Sequence, residues 1–426
     1  MKRPDEVSAL QIHQVIRYGT LLGIGVTLAR SGMPVGDIGR FELILFAVAA
    51  TSYFWVGGLH QGLMAGTGKM PSTRSKVPGI AHAFIWSQIM AVISGLAAVV
   101  YLRIHNEEPQ LITLAFLYTC LMLPSYLGEY IYFIKKNTRG LLRLSVFSHA
   151  LLWLMVAYPA MNAHRIDWCI QGLLLAAGFR FVWVGILVLR EIEWTGISKG
   201  MITIARAAWP LALAALVSGS AEYIDGLVIS GYFGDGEFAL FRYGAREFPL
   251  AVLLATGLSH AMVARIAADD NPDRLSELRE RSSRLINRIM PVAIILMITS
   301  QWLYPLVFGD RFVKSALIFN IYLLLVIPRL VFPQTVIIGK GLQRVIPKLA
   351  VIEVITNVVV SLVLVYFMDM PGVAVGTVVA FSLEKWLLIR YNRKNLGIPA
   401  EDYIPVRRLI TWSLALAAAL FFSLCI

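Results

Sequence analysis

Long apolar runs, separated by short polar breaks, recur along the whole chain of 426 residues and constrain its fold more than any other feature. Each run is about 18 to 30 residues long, enough for a helix to cross the hydrocarbon core of a bilayer. Only 15% of the residues are charged, and the mean hydropathy is +0.70, well above the range of soluble globular domains. Helices satisfy their own backbone hydrogen bonds in lipid. The sequence therefore predicts an all-α polytopic membrane protein.

The apolar runs predict thirteen transmembrane spans. They cover residues 10–29, 40–65, 79–103, 110–134, 141–163, 168–189, 201–232, 238–267, 287–308, 315–339, 346–368, 371–390 and 407–425. The longest polar break, residues 268–288, carries leucines at roughly helical spacing among charges, which predicts an amphipathic helix at the cytoplasmic membrane surface. A solvated linker is the alternative.

Basic residues predict the orientation of the chain. Alternate breaks place 26 lysines and arginines on the side of the N-terminus and six on the other side. Cytoplasmic loops of membrane proteins carry this excess of positive charge, so the N-terminus is predicted to be cytoplasmic. The net charge of +12 then reports topology and does not indicate a nucleic-acid partner.

No motif in the sequence predicts an enzyme, a metal site or a cofactor. The three cysteines lie singly in apolar runs, and the histidines are scattered without ligand spacing. The outer loops are short, and no nucleophile and base, phosphate-binding glycine loop or metal-ligand set stands out. We therefore expect a protein without catalytic residues or cofactor.

A weak internal repeat predicts two related halves. The break after the first predicted span reads GDIGRF from Gly36, and the break after the seventh reads GDGEFALF from Gly234, an offset of 198 residues. A glycine-leucine pair follows in the next span of each half, at Gly58 and at Gly257. An offset of six helices predicts parallel repeats related by an axis along the membrane normal. Chance similarity in a glycine-rich apolar sequence is the alternative.

Residues 210–267, from PLALAALVSGSAEYIDGLVISGYFGDGEF to YGAREFPLAVLLATGLSHAMVARIA, resemble the seventh and eighth helices of the multidrug/oligosaccharidyl-lipid/polysaccharide (MOP) flippase superfamily. The arginine shortly before a Phe-Pro pair is similar to the lipid II and polysaccharide flippase branches. The likeness extends more loosely over the first twelve helices.

This resemblance implies a MATE-like fold of two pseudo-symmetric six-helix bundles, residues 1–195 and 196–395, with an additional C-terminal transmembrane helix in residues 396–426. It also implies alternating access to a central cavity. Lipid II flippases have fourteen helices, whereas one helix is predicted here after the twelfth. The shorter polysaccharide-precursor branch, with O-antigen-type flippases, is therefore the closer resemblance.

Basic residues inside the predicted spans are the candidate substrate site, because a charge in the bilayer centre costs ~2.5–3.5 kcal/mol and needs a partner or a wet cavity. Guanidinium groups match phosphate oxygens bidentately, so they suit the pyrophosphate of a lipid-linked saccharide. Arg242 and Arg246 are predicted to share a helix face at a spacing of four. The candidates are Arg17, Arg180, Arg242, Arg246 and Arg329.

Two acidic residues in the seventh predicted span, Glu222 and Asp225, are candidates for ion coupling. A buried carboxylate holds a proton or a cation unless it is paired. Pairing with Arg242 and Arg246 is the structural alternative. The resemblance implies that the position of Asp225 is commonly acidic. Glu129, Glu247 and Glu353 are secondary candidates.

The sequence thus predicts a flippase for an anionic lipid-linked (polyprenyl-pyrophosphate) oligosaccharide or polysaccharide precursor. It would lie in the bacterial inner membrane as a multi-pass protein and move its substrate from the cytoplasmic to the outer leaflet, driven by a proton, sodium ion or membrane potential. A multidrug or cation antiporter of the same fold, and a lipid II flippase, are the alternatives. A cation antiporter needs acids and aromatics with little basic charge in its cavity, so the deep arginines count against it.

Overall fold

The computed structural model describes residues 6–67, 79–191, 197–268 and 273–425, and every regular element within these ranges is a helix. Eleven of the described helical segments are long and apolar enough to cross a membrane. The chain is an all-α, multi-pass membrane protein. The difference from thirteen predicted spans has two sources. The first span, residues 10–29, is helical but is not among the eleven, and two predicted spans near the C-terminus form a single merged helix.

In the first compact unit, Met1–Gly219, α6 packs against α1 and α7. Its helices are α1 (Glu6–Arg30), α2 (Val35–Thr67), α3 (Ile80–Ile104), α4 (Pro109–Ser125), α5 (Leu127–Ile134), α6 (Thr138–Asn162), α7 (Ile166–Glu191) and α8 (Ile197–Gly219).

The boundary of this unit lies after α8, further along the chain than residue 195, because α8 packs closely on α2. A Cβ atom at Gly58 would lie 2.5 Å from the backbone nitrogen of Ala212. Only glycine fits at this approach, and small residues allow two membrane helices to pack with their backbones close together. The seventh predicted span, 201–232, is therefore divided between the two units, with its break at Ser220.

The second compact unit, Ser220–Ile426, is organised around the long helix α12, which packs against α13 and α18. Its helices are α9 (Ala221–Tyr232), α10 (Asp235–Gly244), α11 (Pro249–Ala268), α12 (Asp273–Phe308), α13 (Val313–Leu323), α14 (Val326–Arg329), α15 (Pro333–Gly339), α16 (Ile346–Asn395), α17 (Ala400–Tyr403) and α18 (Val406–Cys425). The additional helix predicted in residues 396–426 is thus part of this unit. The predicted surface helix of the longest break is continuous with the following span, as α12.

Helix α16 folds back on itself at Asp369, where the backbone is left-handed (φ 53°). A Cβ atom at Gly372 would lie 2.2 Å from the carbonyl oxygen of Leu364, so glycine allows the two arms to meet just after the turn. Residues 346–368 and 370–395 are therefore the two arms of a helical hairpin. They correspond to the predicted spans 346–368 and 371–390.

Two other predicted spans bend at matching places. The span 110–134 breaks at Tyr126, between α4 and α5, and the span 315–339 breaks at Leu324, between α13 and α14. The two bends are 198 residues apart, which is the offset of the sequence repeat. Pro124 lies inside α4, and a proline inside a helix removes a backbone hydrogen bond. The matching bends support the prediction of a repeat.

Candidate functional site

The carboxylate of Asp225 lies at the centre of a polar cluster in the second unit. The side chain is 4% exposed, and its hydrogen-bond donors among the described residues are neutral groups. The hydroxyl of Thr377 lies 2.6 Å from each carboxylate oxygen, the Asn357 amide donates over 3.3 Å, and the Tyr322 hydroxyl donates as well. Within the described residues, no lysine, arginine or histidine forms an ion pair with Asp225. The predicted pairing of Asp225 with arginine is therefore absent from this structure.

The hairpin of α16 continues this cluster. The Ser361 hydroxyl lies 2.8 Å from the amide oxygen of Asn357 and 3.4 Å from the carbonyl oxygen of Val373. Asn357 and Ser361 belong to the first arm, whereas Val373 and Thr377 belong to the second. The cluster thus combines one carboxylate with hydroxyl, amide and carbonyl oxygens, a set of ligands that suits a hard cation and equally a proton.

Arg242 and Arg246 do not share a helix face, contrary to the sequence prediction. Helix α10 ends at Gly244, the next helix begins at Pro249, and residues 245–248 between them are not helical. The predicted span 238–267 is therefore two helices. Proline disfavours the helical conformation of the residue before it and suits the first position of a new helix.

Arg246 has aromatic neighbours in place of a carboxylate. Its guanidinium lies 5.1 Å from the ring centre of Tyr243 and 5.9 Å from that of Phe308. The side chain is half-buried, and no ion pair holds it within the described part of the chain. Arg242 is also half-buried, and it interacts electrostatically with Asp225 and with Tyr322.

Arg329 forms a bidentate ion pair with Glu247, which lies in the segment between α10 and α11. The two hydrogen bonds measure 2.9 and 2.6 Å, and both side chains are about one-third exposed (35% and 32%). The guanidinium also lies 4.5 Å from the ring centre of Phe381, which the ammonium of Lys385 approaches equally closely. Glu247 and Arg329 line a shallow crevice together with Tyr322. Tyr322 therefore contacts Asp225 and also borders this crevice.

Arg180 is enclosed in the first unit, so the predicted role in substrate binding does not fit this structure. The side chain is 3% exposed and forms an ion pair with Glu129, which is 5% exposed. Its other nitrogens donate to the hydroxyls of Ser125 and Ser148. His13, also buried, lies 3.2 Å from the same oxygen of Glu129. The sequence predicted Glu129 as a secondary candidate for ion coupling and showed no metal-ligand spacing among the histidines.

Arg17 lies one turn after His13 on α1 and is half-buried. Its guanidinium lies 5.3 Å from the ring centre of Tyr18 and interacts electrostatically with Tyr130. The Nε atom is buried without a hydrogen-bond partner, and no carboxylate pairs with Arg17 among the residues that the structure describes. Arg17 and Arg246 thus share one property, which is a guanidinium that no carboxylate neutralises.

Two further predictions concern Glu222 and metal binding. Glu222 belongs to α9, but its side chain lies outside the described residues. The described histidine, cysteine and acidic residues form no group of three that could hold a metal ion. The basic residues Lys2, Arg3, Lys69, Arg74 and Lys76, on which part of the predicted orientation rests, also lie outside the described ranges.

Solved structures of other proteins have a fold similar to that of this chain. No protein-family model matches this sequence, and no curated protein matches it. Among solved structures, the lipid II flippase MurJ in an inward closed conformation is similar with a TM-score of 0.70 at 15% identity, over 96% of this chain and 91% of that one. An inward-facing multidrug resistance MATE family transporter of the MOP superfamily reaches 0.62 at 13% identity, over 92% and 98% of the two chains. The chain has the fold of these transporters.

A third solved structure carries the same fold. It is a MOP superfamily transporter from Pyrococcus furiosus with a TM-score of 0.54 at 16% identity, over 93% of this chain and 97% of that one. The predicted fold class is therefore confirmed. At these identities the likeness establishes the fold alone, and functional roles have to be argued from this chain's own side chains.

Proposed function

We propose that this protein is a flippase for an anionic lipid-linked saccharide. The observation that carries the proposal is a pair of arginines, Arg17 and Arg246, with which no carboxylate pairs among the residues that the structure describes. A guanidinium that no acid neutralises is costly at membrane depth, and a phosphate group on the substrate supplies the missing charge with matching geometry. Arg242 is the third proposed contact, whereas Arg180 is enclosed and Arg329 is paired with Glu247.

The proposed substrate is a polyprenyl-pyrophosphate oligosaccharide or polysaccharide precursor, moved from the cytoplasmic to the outer leaflet of a bacterial inner membrane. Two bundles, predicted as residues 1–195 and 196–395, are proposed to alternate in access, and we place the division between them after Gly219, where the first compact unit ends. The N-terminus is proposed to lie in the cytoplasm, and no catalytic step is proposed. The fold is similar to those of the solved lipid II flippase MurJ and of MATE multidrug transporters, so lipid II and cationic drugs are the alternative substrates. The uncompensated arginines favour an anion.

Asp225 is the proposed coupling site, with Glu222 as its proposed neighbour. A carboxylate that only neutral donors surround gains stability when a sodium ion or a proton neutralises it. Tyr322 supports a link to transport, because it contacts Asp225 and borders the crevice of Glu247 and Arg329. A cation or proton bound at Asp225 would therefore affect the crevice through the side chain of Tyr322.

A reconstituted flipping assay tests the substrate. Proteoliposomes would be offered a fluorescent lipid-pyrophosphate oligosaccharide or a cationic dye, under a sodium or a pH gradient. We expect the pyrophosphate lipid to move and the dye to stay, with Arg17→Ala and Arg246→Ala each at least ~tenfold slower, since a hydrogen bond to a charged group contributes ~1.5–3 kcal/mol.

Arg279→Ala is the matched control, because Arg279 is an exposed arginine on α12, and it should flip at the wild-type rate. Transport of the dye with no movement of the pyrophosphate lipid would contradict the flippase proposal and would support a multidrug transporter. Wild-type flipping by the Arg17→Ala, Arg246→Ala double variant would remove both residues from the substrate site.

A further inference from the structure

A buried polar triad joins three helices of the first unit. It consists of His13 on α1, Glu129 on α5 and Arg180 on α7, which are 2%, 5% and 3% exposed. One oxygen of Glu129 accepts from Arg180 and faces Nε2 of His13 over 3.2 Å. The other oxygen is buried and has no hydrogen-bond partner among the described residues. The proposed substrate and coupling sites use neither His13 nor Glu129.

The hydrogen bonds of Ser145 on α6 depend on the protonation of His13, and one arrangement of them fits the charged ring. The Ser145 hydroxyl lies 2.8 Å from the carbonyl oxygen of Leu141 and 2.8 Å from Nδ1 of His13. A hydroxyl has one proton, so when it donates to Leu141 it can only accept from His13, and Nδ1 must carry hydrogen. Nε2 faces an ionised carboxylate and must also carry hydrogen. This arrangement therefore requires a positively charged imidazolium.

A second arrangement fits the same heavy atoms with one proton fewer. If His13 releases the proton of Nδ1, the Ser145 hydroxyl can rotate away from Leu141 and donate to Nδ1, while Nε2 continues to donate to Glu129. Hydrogen bonds remain on both ring nitrogens in both states, and a rotation about one side-chain bond exchanges them. Such a pair of satisfied states is what reversible proton binding in a dry interior requires.

Other titratable and charged groups lie near this triad on the helices that pack against α1. His149 on α6 meets the His13 ring edge-on at 5.5 Å, and His60 on α2 stacks on Tyr130, next to Glu129 in the chain. Arg17 is one turn further along α1. Glu129 is the acid in contact with His13 within the described residues, so it supplies the fixed negative charge that a bound proton needs.

We propose that His13 is a proton-binding site of the first unit, with Glu129 as its counter-charge and Ser145 as the hydroxyl that follows the proton. The bound proton gives the ring a positive charge and so strengthens the hydrogen bond from Nε2 to Glu129, between α1 and α5, and its release weakens that bond. The proton comes from water and returns to water. This makes a second ion site, separate in the chain from Asp225.

Coupling of this proton to transport rests on the proposed function, because Arg17 shares α1 with His13. Proton binding itself does not rest on it, so the test begins without substrate. The full chain in lipid nanodiscs would be titrated from about pH 9 to about pH 5, the range in which histidine changes charge, and the protons taken up per molecule would be counted. We expect His13→Gln to take up one proton fewer than the wild type.

Two further variants serve as controls for the proton count of His13→Gln. His164→Gln removes an exposed histidine of the loop between α6 and α7 and should also lose one proton, which shows that the count resolves a single group. Glu129→Gln leaves His13 in place without its counter-charge and should change the pH at which that proton is bound. It also keeps the test available if His13→Gln does not fold, as judged by thermal unfolding. Titration of His13→Gln or of Glu129→Gln identical to the wild type would overturn the proposal.

A flipping assay then separates this inference from the proposed function. His13→Gln should keep flipping a pyrophosphate lipid but lose its response to a pH gradient, whereas Asp225→Asn, at the other proposed ion site, should still bind the proton that is counted at His13. If no lipid is flipped by any variant and the His13 proton is still counted, the proposed function fails and the proton site stands. If flipping occurs and His13→Gln responds to the pH gradient as the wild type does, the coupling role is overturned.

Discussion

Two buried carboxylates, one in each unit, have opposite surroundings. Glu129 contacts Arg180 and His13, which both can carry positive charge. Asp225 contacts the hydroxyls of Tyr322 and Thr377 and the amide of Asn357, which are neutral. The first acid forms ion pairs with its cations, whereas the second accepts hydrogen bonds from neutral groups and, among the described residues, forms no ion pair, although Arg242 acts on it electrostatically. Burial alone therefore does not define the role of an acid, which depends on the charges beside it.

The largest expected effect is on folding, at the charged triad. Arg180→Ala leaves Glu129 buried with only His13 as partner, so we expect the free energy of unfolding to fall by ~3–5 kcal/mol. Denaturant unfolding in detergent micelles would measure it. The control is Arg165→Ala, because Arg165 pairs with Asp167 at the surface with its side chain 62% exposed, and such pairs contribute ~0–1 kcal/mol. Equal losses in both variants would contradict the contrast between the two carboxylates.

A smaller effect, on transport and not on folding, is expected at Asp225. Asp225→Asn keeps the shape of the side chain but removes the charge that would hold a cation. We expect gradient-driven flipping to fall ~tenfold to a hundredfold, as for losing ~1.5–3 kcal/mol of interaction with a charged group, with unfolding little changed. Asp310→Asn alters an exposed acid before α13 and should transport normally. Wild-type dependence on both gradients in Asp225→Asn would exclude this coupling site.

The hydroxyl of Thr377 is a single neutral ligand of Asp225, and its contribution can be tested separately. Thr377→Val removes the hydroxyl that lies 2.6 Å from both oxygens of Asp225, and we expect the sodium or proton concentration for half-maximal flipping to rise ~tenfold, about 1.4 kcal/mol. Thr299→Val is the control, since its hydroxyl bonds to the backbone of its own helix over 2.8 Å. An unchanged ion dependence in Thr377→Val would remove this hydroxyl from the ion site.

The smallest effect is expected at the ion pair of Arg329 and Glu247, which is more exposed than the pair of Arg180 and Glu129. Arg329→Gln breaks the ion pair with Glu247, but both side chains are about one-third exposed, so water compensates the loss. We expect the free energy of unfolding to change by ~0–1 kcal/mol, measured as for Arg180→Ala. A loss as large as that of Arg180→Ala would show that exposure does not separate the two ion pairs.

Much of the fold could be predicted from the sequence, because a membrane span needs about twenty apolar residues and little else. The helix break before Pro249 also had a local signal, Gly244 followed five residues later by proline, although the prediction ran one span through it. The division of the seventh span between two units had no such signal. It depends on the packing of Gly58 against Ala212, which are far apart in the chain.

The candidate sites were predictable only in part. Charged residues in apolar runs identified Arg17, Arg246 and Asp225 as unusual, because each carries a large cost in lipid. Their partners were not predictable, since Glu129 and Arg180 are 51 residues apart, and Asp225 and Thr377 are 152 apart. Hydroxyl and amide side chains such as those of Asn357 and Thr377 are common in membrane helices, so nothing in the sequence distinguished them before the hairpin of α16 brought them together.

The matching bends at Tyr126 and Leu324 have an evolutionary consequence. If one ancestral segment was duplicated, the bend was inherited by both copies, while the charges after it diverged: Glu129 follows the first bend and Arg329 the second. On this view the bend in the backbone was retained in both copies, and the side chains after each bend changed. Chimeras that exchange the short segments after the two bends would therefore be expected to insert normally and to differ in what they carry.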